Sequence, residues 1–183
     1  MRISFRRIAP FVALMAFSSP VWAQAPSIGS VAPRSAQPGA TARVKIAGGN
    51  LASPTQFWAS FPVEATLAGD VADNGKNAAE LTYDLKLPAD APVGVHGIRV
   101  ATAKGVSPMF LFIIDDLPAV AQIKPNQAMA AAQTLTLPCG VDGSIDALTR
   151  NYYKFAAAAG QTISFEVLAR RLGSPLATMI RIL

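Results

Sequence analysis

Apolar residues recur at every second position along much of this chain, and this period limits the fold more than any other feature. In the segment ELTYDLKL, the apolar residues from Leu81 to Leu87 alternate with Thr82, Asp84 and Lys86. The segment TARVKIA, which begins at position 41, repeats the pattern. Successive side chains of a β-strand point to opposite faces, so each segment turns one face to a core and one to water. The pattern predicts an all-β fold.

Turn-forming residues separate the alternating segments. Proline, glycine, asparagine and aspartate cluster between them, as at positions 38–39 and 73–75. We predict six or seven strands in the first part of the chain, near 28–31, 41–47, 56–60, 63–67, 79–87, 94–102 and 108–114. Short strands at this spacing are typical of an antiparallel β-sandwich.

The alternation stops after Asp115, where a polar segment follows. We therefore predict a first domain at 24–115, a linker at 116–132 and a second domain at 133–183. The alanines late in the linker can form one helical turn, but Pro125 and their small number favour an irregular connection.

The second domain also contains strand-like segments. We predict strands near 134–137, 141–145, 151–156, 161–168 and 177–183. Gly160 and Gln161 supply a turn in the segment NYYKFAAAAGQTISFEVL, which is therefore predicted to be a hairpin. Both domains are expected to be antiparallel β-sandwiches in tandem.

The first 23 residues differ from the rest. Three arginines precede an apolar run at 8–17, and small residues lead to Ala23. This order predicts a secretory signal peptide that is cleaved before Gln24. A membrane anchor is the alternative, but the run is about ten residues and a bilayer crossing needs roughly twenty. We expect an exported protein, periplasmic or extracellular and cell-surface, whose mature chain has no transmembrane segment.

The charge of the mature chain is small. Removing the leader removes three of the 16 Lys and Arg and none of the 11 Asp and Glu, which leaves 13 against 11 and a net charge of +2. The remaining basic residues are scattered, apart from Arg170-Arg171, whereas a surface that follows phosphates needs clustered ones. We expect no nucleic-acid partner.

Reactive side chains are few and dispersed. The single histidine, His96, shares a strand face with Ile98 and is interpreted as a core or rim residue rather than a catalytic base. The single cysteine, Cys139, excludes an internal disulfide and is interpreted as a part-buried turn residue rather than a reactive thiol. The segment GDVADNGKN has the wrong glycine spacing for a phosphate loop and predicts a hairpin turn. We predict no enzyme, no metal site and no cofactor.

Two pairs of aspartates raise the alternative of calcium binding. Asp115 and Asp116 are adjacent on an extended chain, so their side chains point opposite ways and are interpreted as solvated. Asp142 and Asp146 lie in a predicted turn and strand, where ordinary turn carboxylates are the favoured interpretation.

Three residues are candidate ligand contacts: Trp58, Arg170 and Arg171. Phe57 and Trp58 are neighbours in a strand, so they point to opposite faces and only one faces the core. A sugar-stacking Trp58 is the functional interpretation, and a tryptophan buried in the sandwich is the favoured one. Arg170 and Arg171 can contact an anionic glycan or a neighbouring domain, or can simply be solvated.

The first domain opens with PSIGSVAPRSAQPGATARVKIAGGNL and closes with PVGVHGIRVATAKGVSPMFLFII. Over residues 26–115 it resembles the IPT/TIG family of immunoglobulin-like domains, whose Gly-Asn-Leu-type turn matches Gly49-Asn50-Leu51. Here Ala-Gly-Gly-Asn replaces the usual Gly-x-Asn. The resemblance implies an Ig-like sandwich.

The second domain carries YYKF at 152–155, an Ala-Gly turn, FEVL at 165–168 and an RLGSPL exit. It resembles the bacterial pre-peptidase C-terminal (PPC) domain, a small sandwich of jelly-roll type that is appended to exported peptidases. The family's D-x-D-Y-Y carboxylates are replaced by Thr149 and Asn151, which implies lost calcium binding. The resemblance also implies a partial domain whose last apolar strand is an open edge, through which the protein can self-associate.

These observations predict an exported, non-catalytic binding, spacer or surface-association protein. Its expected partner is a cell-surface polymer, a glycan or a protein. The alternative is the N-terminal fragment of a secreted hydrolase whose catalytic domain is missing from this chain.

Overall fold

The prediction of an all-β chain is confirmed. The computed structural model describes residues 24–183, so the predicted leader at 1–23 lies outside the described residues. Over this range the only helical elements are two short 3₁₀ turns, Met129–Ala131 and Arg170–Leu172. None of the helical elements between residues 24 and 183 is long and apolar enough to cross a membrane.

Nine strands fill the first part of the chain. They are β1 (Ser27–Ala32), β2 (Ser35–Ala36), β3 (Thr41–Gly49), β4 (Pro54–Ala59), β5 (Glu64–Leu67), β6 (Glu80–Lys86), β7 (Gly94–Thr102), β8 (Gly105–Val106) and β9 (Phe110–Ile114). The first sheet has the order β1-β3-β6-β5, and all of its pairs are antiparallel. The second sheet has the order β2-β9-β7-β4, and β8 pairs with β7. Only β2 and β9 run parallel in this sheet.

Both sheets turn their apolar faces onto one core, which gives this part a sandwich-like architecture. Eight fully buried side chains come from the two inner faces: Val44, Ile46, Leu81, Leu85, Ile98, Val100, Phe112 and Ile114. Each such side chain stabilises the fold by about 1.5–3 kcal/mol through burial. The period-two pattern therefore locates the core correctly.

Thr82 departs from the pattern, because it lies on the predicted water face yet is only 7% exposed. The side chain of Asn74 covers it. Asn74 Oδ1 accepts a hydrogen bond from Thr82 N at 2.9 Å, and Asn74 Nδ2 donates to the carbonyl oxygens of Ala68 and Thr82. These bonds fix the connection at 68–79 between the antiparallel strands β5 and β6. The predicted turn at 73–76 lies within this connection, where Lys76 N donates to Asp73 O at 2.9 Å.

Four short strands follow: β10 (Ala119–Ala121), β11 (Gln133–Leu135), β12 (Gly140–Asp142) and β13 (Tyr153–Phe155). Strand β10 pairs with β12 and β11 pairs with β13, both in parallel. The expectation of antiparallel pairing is wrong for these strands. The segment predicted as a linker contains β10 and a single 3₁₀ turn, the helical turn that the alanines allowed.

The predicted hairpin at 151–168 is also wrong. Its turn is present, because Gln161 N donates to Ala158 O at 3.1 Å and Gly160 has φ of 81°. Strand β13 pairs with β11 instead, and neither 161–168 nor 177–183 forms a strand. Alternation predicts which side chains a strand would bury, but a ladder also needs a neighbouring strand, and among residues 24–183 these segments have none.

Arg34 joins the two parts of the chain. Its backbone N–H donates to Asp142 Oδ2 at 2.7 Å, and its Nε donates to Leu111 O at 3.2 Å. Its Nη2 donates to Leu172 O, and its guanidinium lies 4.5 Å from the centre of the Phe110 ring. Burial of the guanidinium lowers the pKa of Arg34.

Candidate functional site

The three sequence-predicted contact residues lie in different elements. Trp58 belongs to β4 of the sandwich, whereas Arg170 and Arg171 belong to the second 3₁₀ turn. Arg171 Nη1 donates to Glu166 Oε1 at 2.8 Å, in an exposed pair. This pairing offsets the charge that would have attracted an anion, so the Trp58 face is the better candidate.

Trp58 points away from the core. The ring of its neighbour Phe57 packs inward, 5.1 Å from the ring of Tyr83, while the Trp58 side chain is 44% exposed. The alternation predicted that the two rings face opposite ways, and this is confirmed. The favoured interpretation of a buried Trp58 is wrong, because Phe57 takes the core position and the strand can supply only one.

Residues of the neighbouring strand β7 lie beside Trp58 on the same outer face. Arg99 stands directly opposite Trp58 in the register, and its Cζ lies over the Trp58 ring, 5.9 Å from the ring centre. A Cβ placed on Gly97 would overlap Met109 Sδ and would lie 3.7 Å from Trp58 Cζ3. The thioether and the edge of the indole therefore lie over the Gly97 backbone, an approach that glycine permits.

The result is a shallow open depression of about 320 Å³ on the outer face of the second sheet. Gln56, Trp58, Arg99, Ala101 and Val106 line it. The surface combines one large aromatic ring, one cation and one amide with small apolar side chains. Such a surface can stack a flat apolar ligand face while the amide and the guanidinium donate hydrogen bonds that fix its orientation.

The residues that line this depression include no histidine, cysteine or carboxylate. His96 lies at the core rim, where Nε2 is 2.7 Å from Pro92 O and the ring packs edge-on against Phe61. Cys139 is part-buried between β11 and β12. Within residues 24–183, no three His, Cys, Asp or Glu side chains are grouped so that they could hold a metal ion.

Three of the four aspartates considered for calcium accept hydrogen bonds from within the chain through their carboxylates. Asp142 accepts the Arg34 backbone N–H, and Asp146 accepts from Gln127 Nε2 at 3.3 Å with Lys124 Nζ at 3.9 Å. Asp115 Oδ1 accepts from Leu117 N at 3.1 Å. None of them belongs to a group of three or more His, Cys, Asp or Glu side chains among residues 24–183 that could hold a metal ion.

A part-buried network of side-chain amides, which the alternation of apolar residues does not reveal, surrounds Gln122. Ser144 N donates to Gln122 Oε1 at 2.7 Å, so Gln122 Nε2 is left to donate to Asn126 Oδ1 at 2.9 Å. Asn126 is fully buried. In the sequence, asparagine and glutamine between two predicted domains indicate a solvated linker. Only their partners in the folded chain show whether they form a hydrogen-bonded network or a polar loop.

No protein-family model matches the chain, and no curated protein matches it in sequence. The resemblances to the IPT/TIG and PPC families therefore stay predictions. Gly97 is the one sequence signal for the Trp58 face. A glycine inside a strand often marks a position where another group approaches the backbone closely.

Proposed function

We propose that the protein is an exported, non-catalytic binding protein built from β-sandwich modules, with the Trp58 face as its ligand contact. The observation that carries the proposal is the exposure of Trp58 in a shallow depression that also holds a cation and an amide. Tryptophan is a frequent anchor at binding surfaces because it buries a large area with few rotatable bonds.

A glycan is the partner that this face fits best. Sugar rings carry flat C–H faces that stack on an indole, and their hydroxyls accept and donate hydrogen bonds to side chains such as Gln56 and Arg99. The depression is open, so a polymer chain can pass across it without its ends being enclosed. These features also suit surface association, in which the module holds its ligand and performs no reaction.

The proposal treats residues 24–115 as an Ig-like module of IPT/TIG type. The packing of two sheets around one core supports the Ig-like assignment of these residues. It treats residues 133–183 as a partial PPC-like module, for which the parallel pairs β10–β12 and β11–β13 give less support. The binding role is assigned to the first module, because the Trp58 face lies entirely within it.

The proposed function is tested with the full chain carrying Trp22→Phe, in which Trp58 is the only remaining tryptophan. Its fluorescence therefore reports the site directly. Cell-wall polysaccharides are titrated, and we expect a blue shift on binding. In parallel, co-sedimentation with the same polymers should weaken at least about tenfold for Trp58→Ala, which corresponds to about 1.4 kcal/mol.

The matched control is Met129→Ala, which shortens an exposed apolar side chain far along the chain in the predicted linker. It should bind as the parent does. Equal binding by Trp58→Ala and the parent, or no binding to any polysaccharide, would overturn the proposed function.

A further inference from the structure

The two sheets of the sandwich differ in charge. Strands of the first sheet carry three acidic residues, Glu64, Glu80 and Asp84, while strands β2, β4, β7, β8 and β9 of the second sheet carry none. The outer face around Trp58 is therefore free of carboxylates from its own sheet.

Basic residues on the first sheet are all neutralised by neighbours. Arg43 binds Asp84 at 2.8 Å, Lys45 binds Glu80 at 2.7 Å, and Lys86 lies 3.4 Å from Glu64. Arg99 on the second sheet has no such neighbour, because no carboxylate between residues 24 and 183 lies within 4.0 Å of it.

We infer that the Trp58 face binds an acidic glycan, a polysaccharide whose sugar rings carry carboxylates; this inference rests on the proposed function. The Arg99 guanidinium lies over one face of the Trp58 ring, 5.9 Å from its centre, and the Trp58 side chain is 44% exposed. The sugar stacks on the exposed part of the ring, and the guanidinium binds the carboxylate of that sugar or the next. Guanidinium and carboxylate match as paired donors and acceptors, and this charge-assisted contact is about twice as strong as a neutral one.

An acidic peptide would satisfy Arg99 but not the rest of the face. A peptide strand would add to the free edge of β4, yet that strand begins with Pro54 and its register shifts before Gln56. Proline lacks the N–H that an added strand needs, and a bulge disturbs the edge. The open stacking surface therefore favours a sugar polymer over a peptide.

The probe is polygalacturonate, and its methyl ester provides the same sugar backbone without the charge. Both are titrated into the full-length Trp22→Phe chain while Trp58 fluorescence is recorded. We expect the acid form to bind at least about tenfold more tightly than the ester at low salt, with the difference shrinking as salt is added.

Arg99→Gln should remove the preference for the acid form and leave the weaker binding of the ester. Arg99→Lys, which keeps the charge but loses the paired donors, should retain part of the preference. Arg150→Gln is the matched control, because Arg150 is an exposed arginine in a loop of the second part and its loss changes the net charge equally. Thermal unfolding of each variant checks that the fold is intact.

The outcomes separate the two proposals. Equal binding of acid and ester, both lost in Trp58→Ala, would overturn the acidic glycan and leave the proposed function standing. Equal weakening by Arg99→Gln and Arg150→Gln would overturn the inference as unspecific charge attraction. Tighter binding of polyglutamate than of polygalacturonate would overturn the acidic glycan in favour of an acidic peptide. Binding that is unaffected by Trp58→Ala would contradict both proposals.

Discussion

Because Gly48 has no side chain, strands β1 and β3 approach each other more closely than any other residue at this position would allow. A Cβ at this position would overlap the carbonyl oxygen of Ser27 and lie 2.9 Å from its carbonyl carbon. The obstacle is backbone, so relief requires the strand itself to move. We expect Gly48→Ala to lower the free energy of unfolding by about 1–3 kcal/mol, as overpacking does.

Urea unfolding measures this loss. Gly69→Ala is the control, because a Cβ at Gly69 meets nothing within 4 Å. It should change stability by no more than about 0.5 kcal/mol. Equal stability of the two variants would contradict the close approach of the strands.

Tyr83 is expected to make the sandwich less stable as the pH rises into the alkaline range. Its side chain is 4% exposed, and burial raises the pKa of Tyr83 from 10.0 to about 12. The folded state therefore holds the phenol proton more firmly than the unfolded state. The contribution of Tyr83 is complete below pH 10 and is lost as pH rises towards 12, by about 1.4 kcal/mol per pH unit.

Unfolding curves at several pH values between 8 and 12 test this dependence against Tyr83→Phe. The phenylalanine cannot titrate, so its stability should fall less steeply above pH 10. Lysines and other tyrosines titrate in both proteins and cancel in the difference. Parallel pH profiles would show that the Tyr83 phenol titrates as it does in water.

At Phe57 and Trp58 the sequence predicts that the side chains alternate but not which of the two faces the core. Phe57 and Trp58 are both large and aromatic, and either can face the core. A shift of one residue exchanges every inward and outward side chain. Pairing with β7 decides the phase, and that pairing is a contact between residues far apart in sequence.

Among the elements, every strand predicted in the first domain is confirmed within a few residues of its bounds. Strands β2 and β8 were missed, because two residues are too few to show a period. The predicted strands at 161–168 and 177–183 are wrong for a different reason. Their alternation is clear, but pairing partners are set by the tertiary fold, and Phe165 remains 41% exposed beside Phe155.

The amide network of Gln122 holds the short strands of the second part together. Strands of three residues form few ladder bonds, so side-chain bonds across the loops carry more of their stability. Removing the amide leaves the buried Asn126 Oδ1 without the Gln122 partner, while the exposed Ser144 N–H can bind water. We expect Gln122→Ala to lower the free energy of unfolding by about 1–3 kcal/mol.

Gln127→Ala is the matched control, because Gln127 has the same side chain but makes one exposed bond of 3.3 Å to Asp146. Its effect should stay within about 0.5 kcal/mol. Thermal unfolding of both variants provides the comparison. A loss of stability in Gln127→Ala as large as that in Gln122→Ala would contradict a special role for the Gln122 network.

For the whole molecule, the contacts of Arg34 connect the sandwich to the rest of the chain. The guanidinium is partly desolvated between Leu111 on β9 and Leu172 in the second 3₁₀ turn. Breaking both contacts should free the turn without unfolding the sandwich, because the core lies elsewhere. The sequence showed none of this, since a lone arginine after a proline looks like a solvated loop residue.

We therefore expect Arg34→Ala to raise hydrogen exchange at the amides of Leu172 and Gly173 by about tenfold, equal to about 1.4 kcal/mol of local opening. Amides of β3 and β6 should be unchanged, because they exchange only when the sandwich opens. Arg43→Ala is the control: its pairs with Asp84 and Asp70 are exposed, and Arg43 lies on the first sheet, away from the turn. Unchanged exchange at Leu172 in Arg34→Ala would mean that the backbone bond from Arg34 to Asp142 and the burial of Leu172 hold the two parts together without the guanidinium.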